Sequence, residues 1–432
     1  MAIEEEAVPN AAKFMREVLR GSSYEFSTAL ADLVDNSIQA NCSNVEIFVD
    51  FDELTVAVFD DGKGMTDETH KEAMKVASET RDYEDVDLGK YGTGMKAASL
   101  SQADRLVVAT KPDSSSEVTV RCLDIDHINR VNDWSRLTLV LSVTDLPSKY
   151  QLLFEEHNSG TLVLWESLGR VSDVGGLDDS HLRLELMKQL EAAESHLSMV
   201  FHRFLDGTIP NGKQLCIRVN GEQLEPWDPF CLDEKTIQLE PFETRFNGSV
   251  VRLSPYILPG EKEFSSKAKF FESAGPKRWN ESQGFYVYRN YRLIRWGGWL
   301  RMRASDEHRK LARIALDFGS DLDSVFRVNV AKSSLTLPMQ VKTRFEPIVK
   351  ECAAQAEKRY RSQKKIAAGG IGSLPGRGTG SGNTVTRKIS ANTFVSLLEQ
   401  IANASNLESE LKSLKAATAQ QNSTLAREVG WD

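Results

Sequence analysis

Between positions 25 and 40, Phe26, Ala29, Leu30, Leu33, Val34 and Ile38 recur at helical spacing, so this stretch predicts an amphipathic helix with one apolar stripe. Its polar stripe carries Asp32, Asn36 and Gln39. Val45, Ile47 and Val49 then alternate with polar residues, and after a turn at Asp52 and Glu53 the run 55–59 gives a second strand ending at Asp60. A helix follows, with Thr66 as N-cap and Asp67 and Glu68 in the first turn, where negative charge suits the helix dipole. A polar, irregular stretch over 78–88 leads to the glycines at 89, 92 and 94. Short β-rich runs at 106–110, 118–122, 137–143 and 161–165 predict a mainly antiparallel sheet covered by helices on one face. That is a two-layer α/β sandwich, assigned to residues 1–170.

The pattern repeats in mixed form over 171–368. A helical stretch at 182–204 precedes strands near 214–219, 249–253, 284–294 and 326–330, and a helix from Pro338 closes the segment. These elements predict a second α/β domain. Residues 369–384 are rich in Gly and Ser and read as a flexible linker. In the tail, 385–432, Phe394, Leu397, Leu398 and Ile401, then Leu407, Leu411 and Leu414, predict two short amphipathic helical pieces that dock on the body or on a partner protein.

Composition narrows the class. The 432 residues are 41% hydrophobic and 27% charged, which suits a soluble globular chain of two or three domains. A net charge of -9 argues against a surface that is basic throughout and leaves room for a local basic face. Five scattered cysteines without a C-x-x-C pair suit a reducing compartment, the acidic start MAIEEEAVPN is unlike a signal peptide, and no apolar run is long enough to span a bilayer. The expected location is cytoplasmic, away from membranes.

Three polar and glycine-rich groups carry the candidate chemistry. Asp32 and Asn36 project side by side from one helix, which alone is also the pattern of a solvated face. Asp60-Asp61-Gly62-Lys63-Gly64-Met65 puts a carboxylate at a strand end before glycines that let the backbone approach a ligand, and by itself also fits a plain hairpin turn. Gly89-Lys90-Tyr91-Gly92-Thr93-Gly94-Met95-Lys96 opens a helix whose free N–H groups suit phosphate. The glycine order differs from the G-x-G-x-x-G of dinucleotide folds, and Met95 stands where a Walker A loop needs Lys.

Together with Gly160-Thr161 at the start of a strand, these groups resemble, in order and spacing, the four boxes of the GHKL (Bergerat-fold) ATPases. That family includes type II topoisomerases, MutL, the large heat-shock chaperones, sensor histidine kinases and MORC proteins. The stretches 88–96 and 101–104 look closest to prokaryotic MORC-like and chaperone-like sequences. The resemblance implies ATP and Mg2+ as ligands, with Asn36 giving its amide oxygen to the metal. Asp32 stands where the family usually has a glutamate that deprotonates the attacking water. Asp60 would accept the adenine amine with support from Thr161, and Gly64 would leave room for the base. Gly62 and Met65 complete that box, Lys90, Tyr91, Gly92, Thr93, Gly94, Met95 and Lys96 would hold the phosphates, and 66–94 would form a lid. Aspartate is one methylene shorter than glutamate, so slow hydrolysis is expected, with binding without hydrolysis as the alternative.

The stretch 284–294 resembles the strand and turn of the transducer domain that follows the ATP site in MutL, topoisomerases and MORC proteins. That domain sends a lysine to the γ-phosphate, and Lys332 is the candidate. With no histidine before His70, the sensor-kinase branch does not fit. The resemblance implies an ATP-dependent homodimer closed through 9–22. A clamp on DNA, MORC-like and placed in an antiviral defence system, is the leading expectation, with the basic stretch 358–365 as its phosphate contact. The alternative is a chaperone-like or regulatory switch acting on a protein partner through the tail.

Overall fold

The computed structural model describes residues 10–14, 24–75, 94–134, 137–168, 179–210, 213–276, 278–327, 335–368 and positions 412, 413, 415 and 416. The predicted apolar stripe does form a helix, α1 (Phe26–Gln39). Thr28 one turn in accepts the backbone N–H of Glu25 and so satisfies the helix entrance. The exit is marked by Asn41 at a φ of 61°, a left-handed position that asparagine tolerates.

The hairpin β1 (Asn44–Asp50) and β2 (Thr55–Asp60) follows, then α2 (Asp67–Met74), capped by the Thr66 side chain as predicted, and α3 (Gly94–Gln102). Next come β3 (Arg105–Lys111), β4 (Thr119–Asp124), α4 (Ile125–Val131), β5 (Thr138–Leu141), α5 (Ser148–Glu156), β6 (Gly160–Glu166) and α6 (Asp179–Val200). β7 (Cys216–Val219) and β8 (Glu222–Gln223) complete one eight-stranded sheet in the order β5-β4-β3-β6-β2-β1-β7-β8.

Alternation along the strands serves both faces of this sheet. Val56, Val58, Leu106 and Val108 face the helical layer, where Leu30 and Val34 of α1 and Leu186 and Leu190 of α6 close the main core. Ala57, Phe59, Val107 and Ala109 face the other way and are covered by Tyr150 and Phe154 of α5. The fold class is a two-layer α/β sandwich, with this one short helix behind the sheet.

The strand predicted at 214–219 was assigned to the second domain, but β7 pairs in parallel with β1. The Asn220 side chain accepts from the N–H of Val49 and donates to its carbonyl, fixing β7 beside the first hairpin. The helical-layer sandwich therefore runs past position 170, to about 224.

A second sheet contains β9 (Ile237–Gln238), β10 (Phe242–Phe246), β11 (Ser249–Ile257), β12 (Gly284–Arg289), β13 (Arg292–Trp296) and β14 (Ala312–Phe318). Its order is β10-β11-β14-β12-β13, with β9 on β11. The helix α7 (Lys267–Ser273) lies between β11 and β12, α8 (Asp323–Phe326) follows β14, and α9 (Met339–Ala368) closes the unit. On α9, Val341, Phe345, Val349, Cys352, Ala353 and Ala356 recur at helical spacing and bury one face against β11 and β14. Phe326, predicted to begin a strand, ends α8 instead: its ring packs edge-on against Phe318, and Arg327 caps the turn at a φ of 50°.

The two sheets lie in one compact unit, Met1–Ile371, and Gly372–Asp432 forms the other. The division falls within the predicted linker, and in the tail the described positions 412, 413, 415 and 416 are helical. No described helix is long and apolar enough to cross a membrane, and the five cysteines are free thiols.

A buried ion pair joins the sheets. β12 and β13 turn at Asn290 and Tyr291, both at positive φ, and Arg292 just beyond the turn donates Nε–H to Asp35 of α1 at 2.8 Å. Its guanidinium also lies over the Phe201 ring, 5.6 Å from the centroid. The two side chains are 7% and 2% exposed, so Arg292→Met would remove a buried counter-charge from the Asp35 carboxylate. That variant is expected to lose about 3–5 kcal/mol of stability in chemical denaturation, and Asp35→Asn combined with it is expected to recover part of the loss.

Candidate functional site

α1 brings Asp32 and Asn36 to successive turns of one face, at the side where α3 begins. Asp32 is largely buried, and its Oδ2 accepts the Tyr24 hydroxyl at 2.8 Å. Asn36 is half-buried, and among the described residues its side-chain amide has no hydrogen-bond partner. Gly94 is the first residue of α3. The nearest described atom to a side chain grafted there is Asp32 Oδ2, at 3.8 Å. A carboxylate, with an amide one turn further along α1, thus faces the N-terminus of a helix, which offers free N–H groups and a partial positive charge.

At the end of β2, Asp60 is almost completely buried. Its Oδ2 accepts the Ser37 hydroxyl at 2.9 Å and its Oδ1 accepts the Gly62 N–H at 3.0 Å. Burial pushes this carboxyl up to about 6, against the lowering effect of those two donors. Strand register then sets the row. Asp60 lies opposite Thr161 of β6, and Thr161 lies opposite Thr110 of β3. The two threonine hydroxyls are 3.0 Å apart, and Thr110 also accepts the Met65 N–H at 2.9 Å.

The glycines between these groups are set by crowding. A Cβ at Gly62 would come within 2.7 Å of both Ala40 Cβ and Asp60 Oδ1. Gly64 has a φ of 65°, and a Cβ there would meet the Lys111 carbonyl oxygen. The expectation that Gly64 leaves room for a ligand is therefore revised, since its missing side chain admits the backbone of β3 and the residue after it.

Lys96 also sits differently from the expectation of a phosphate contact. It is buried, and its Nζ donates to the Ala73 carbonyl in α2 at 2.6 Å. Met95 is half-buried against the main core, as is Met65. Lys90, Tyr91, Gly92, Thr93 and Lys332 lie outside the described residues.

Four groups were not read from the sequence. Ser37 and Thr110 hold Asp60 and Thr161 only because of helix facing and strand register. Tyr24 precedes the first apolar residue of the helical stripe, and Asp35 is visible only once the stripe at 32, 36 and 39 is completed by position 35, one turn after Asp32.

Residues 24–161 match the family model of histidine kinase-, DNA gyrase B- and HSP90-like ATPases. The match supports a GHKL-type ATPase domain over this segment. No curated protein matches the chain. The GHKL-type domain implies ATP binding, and every site residue described above except Lys332 lies within the matched segment.

The raised carboxyl of Asp60 gives opposite signs for stability and for binding. Between the ordinary value near 3.8 and about 6, the folded protein holds this proton more tightly than the unfolded chain. The Asp60 contribution to stability therefore increases as pH falls through that window. Were an adenine nucleotide held by the ionised Asp60, its binding would decrease over the same window, by about tenfold per pH unit once the group is protonated. Titrating a fluorescent ATP analogue from pH 5 to 8 is expected to show this loss. Asp60→Asn is expected to bind weakly at every pH and to remain folded.

Proposed function

We propose that the chain binds ATP with magnesium between α1, α3 and the ends of β2, β6 and β3, and hydrolyses it slowly. The supporting observation is Asp32 facing Gly94 at one helix entrance, with Asn36 one turn along α1 and with Asp60, Thr161 and Thr110 in a row at the strand ends. Asp60 accepts the adenine amine, supported by the hydroxyls of Thr161 and Thr110. The N–H groups at the start of α3 face the phosphates.

The donor chemistry fits a magnesium ion. The Asn36 amide oxygen is a hard ligand without a partner among the described residues, and no described cluster of three His, Cys, Asp or Glu residues forms a closed metal cage. Magnesium prefers one or two protein oxygens beside phosphates and water. When bound, it neutralises charge on the triphosphate. Asp32 takes a proton from the attacking water as the water oxygen bonds to the γ-phosphorus. The bond from that phosphorus to the β–γ bridging oxygen breaks, and its electron pair leaves with ADP. Lys332 is the lysine assigned to the γ-phosphate.

ATP closes a homodimer clamp through 9–22, in a MORC-like arrangement whose second sheet is the transducer, and the clamp acts on DNA. A second reading, a switch for a protein partner through the tail, is favoured by the fate of the basic stretch. Arg359 donates to Glu263 and to the carbonyls of Ile257 and Lys235, the Tyr360 hydroxyl donates to Glu307, and Arg361 pairs with Glu357. These groups are engaged within the fold, which lowers their value as a phosphate contact. ATP turnover stimulated by DNA supports the first reading, and stimulation by a protein partner alone supports the second.

The deciding test is ATP turnover and binding of the wild type beside Asn36→Ala and Asp32→Asn. Asn36→Ala is expected to lose magnesium-dependent binding. Asp32→Asn is expected to keep binding, to keep analogue-driven dimerisation by light scattering, and to lose turnover by about 100-fold or more. Wild-type turnover in Asp32→Asn would remove the base assignment, and absence of nucleotide binding by the wild type would remove the whole reading.

A further inference from the structure

Tyr24 sits two residues before α1 and is tied at both ends. Its hydroxyl donates to Asp32 Oδ2 at 2.8 Å. Its backbone carbonyl accepts Gln102 Nε2 at 3.2 Å, from the last residue of α3. Gln102 is itself buried and donates to Ser101 as well. The oxygen that accepts the phenol is also the one that faces Gly94. One residue therefore links the carboxylate on α1 to both ends of α3, the helix whose entrance faces the phosphates in the reading above.

We infer that Tyr24 is a positioning residue for the hydrolysis, holding Asp32 in the orientation in which it acts as the base. The inference rests on the assignment of Asp32 to that role. An aspartate has a short, two-torsion side chain, and a hydrogen bond to one of its oxygens removes rotamers that do not reach the water. A phenol donating to a carboxylate makes a short, charge-assisted bond, which also favours the ionised form of the base.

The donor persists across the pH range of activity. Burial, then the charge of Asp32, pushes the Tyr24 hydroxyl well above its ordinary value, so it stays protonated. Among the described residues, Asp35 on α1 raises it further and Arg292 on β13 opposes the rise. His196 on α6 stands beside Arg292 and Asp35, and burial followed by the Arg292 charge holds it down to about 4, so it is neutral where the enzyme is assayed.

Tyr24→Phe keeps the ring, which packs against the main core, and removes only the donor. The expected result is a fall in kcat of about tenfold with the dissociation constant of a non-hydrolysable ATP analogue unchanged within twofold. The acid limb of the turnover profile is expected to move to higher pH, because the carboxylate loses a donor that favours its charge. In an Asp32→Asn background the same substitution is expected to change nothing further. Unchanged or increased kcat in Tyr24→Phe, or loss of affinity equal to the loss of kcat, would overturn the inference while Asp32→Asn still loses turnover. Should Asp32→Asn itself turn over normally, the base assignment fails first and Tyr24 falls with it.

Discussion

Helix periodicity places Asp35 on the same face of α1 as Asp32 and Asn36, and this crowding of carboxylates is the constraint that the rest of the molecule answers. Two buried carboxylates one turn apart repel, and the repulsion is felt most where water is excluded. Arg292 resolves it. Its guanidinium donates to Asp35 at 2.8 Å, so the net charge on this face of α1 approaches that of Asp32 alone. Among the described residues, the compensating charge does not come from a neighbouring turn of α1 or from the first sheet. It comes from β13, 257 positions away in the chain, which makes the second sheet a structural requirement of the helix that carries the site.

The opposite end of the site obeys a different rule. Asp60, Thr161 and Thr110 come from three strands, and each is brought into line by antiparallel register. A slip of one residue in either pairing would turn a hydroxyl to the α5 side and leave Asp60 without its neighbours. The glycines serve this geometry: Gly64, at a φ of 65°, lets the chain after β2 pass against Lys111, and that approach brings the Met65 N–H onto Thr110.

How much of this was legible follows from the range over which each signal acts. α1, the first hairpin, the Thr66 cap and the strands later labelled β3, β4 and β6 were readable because side-chain periodicity and capping are local. The carboxylate and amide on α1 and the glycine-lined start of α3 were readable as a set because the resemblance supplied their order. Pairing was not. β7 carries the same alternation whether it joins β1 or the second sheet, and only the Asn220 bonds to Val49 and the Ser43 carbonyl that accepts the Cys216 N–H decide it. Phe326 was misread for the same reason, since an apolar residue in a short run suits a strand or a helical turn until its ring contact with Phe318 is known. Lys96 looked like a phosphate ligand because lysine near a glycine loop commonly is one, and the carbonyl of Ala73 that occupies it belongs to another helix.

The seam between the sheets carries several buried polar pairs, and that chemistry says what it is for. Beside Asp35 and Arg292, Arg203 after α6 pairs with Asp317 of β14 and lies over the Tyr288 ring, and His202 Nε2 is 2.8 Å from the Tyr288 hydroxyl. Buried ion pairs add little net stability over apolar packing of the same shape, but losing one partner is costly. An apolar seam would tolerate sliding between α6 and the second sheet; paired charges with fixed hydrogen-bond geometry resist it. The arrangement therefore specifies where β13 stands relative to α1, and through Asp35 it specifies where the neighbouring Asn36 and, one turn earlier, Asp32 stand as well.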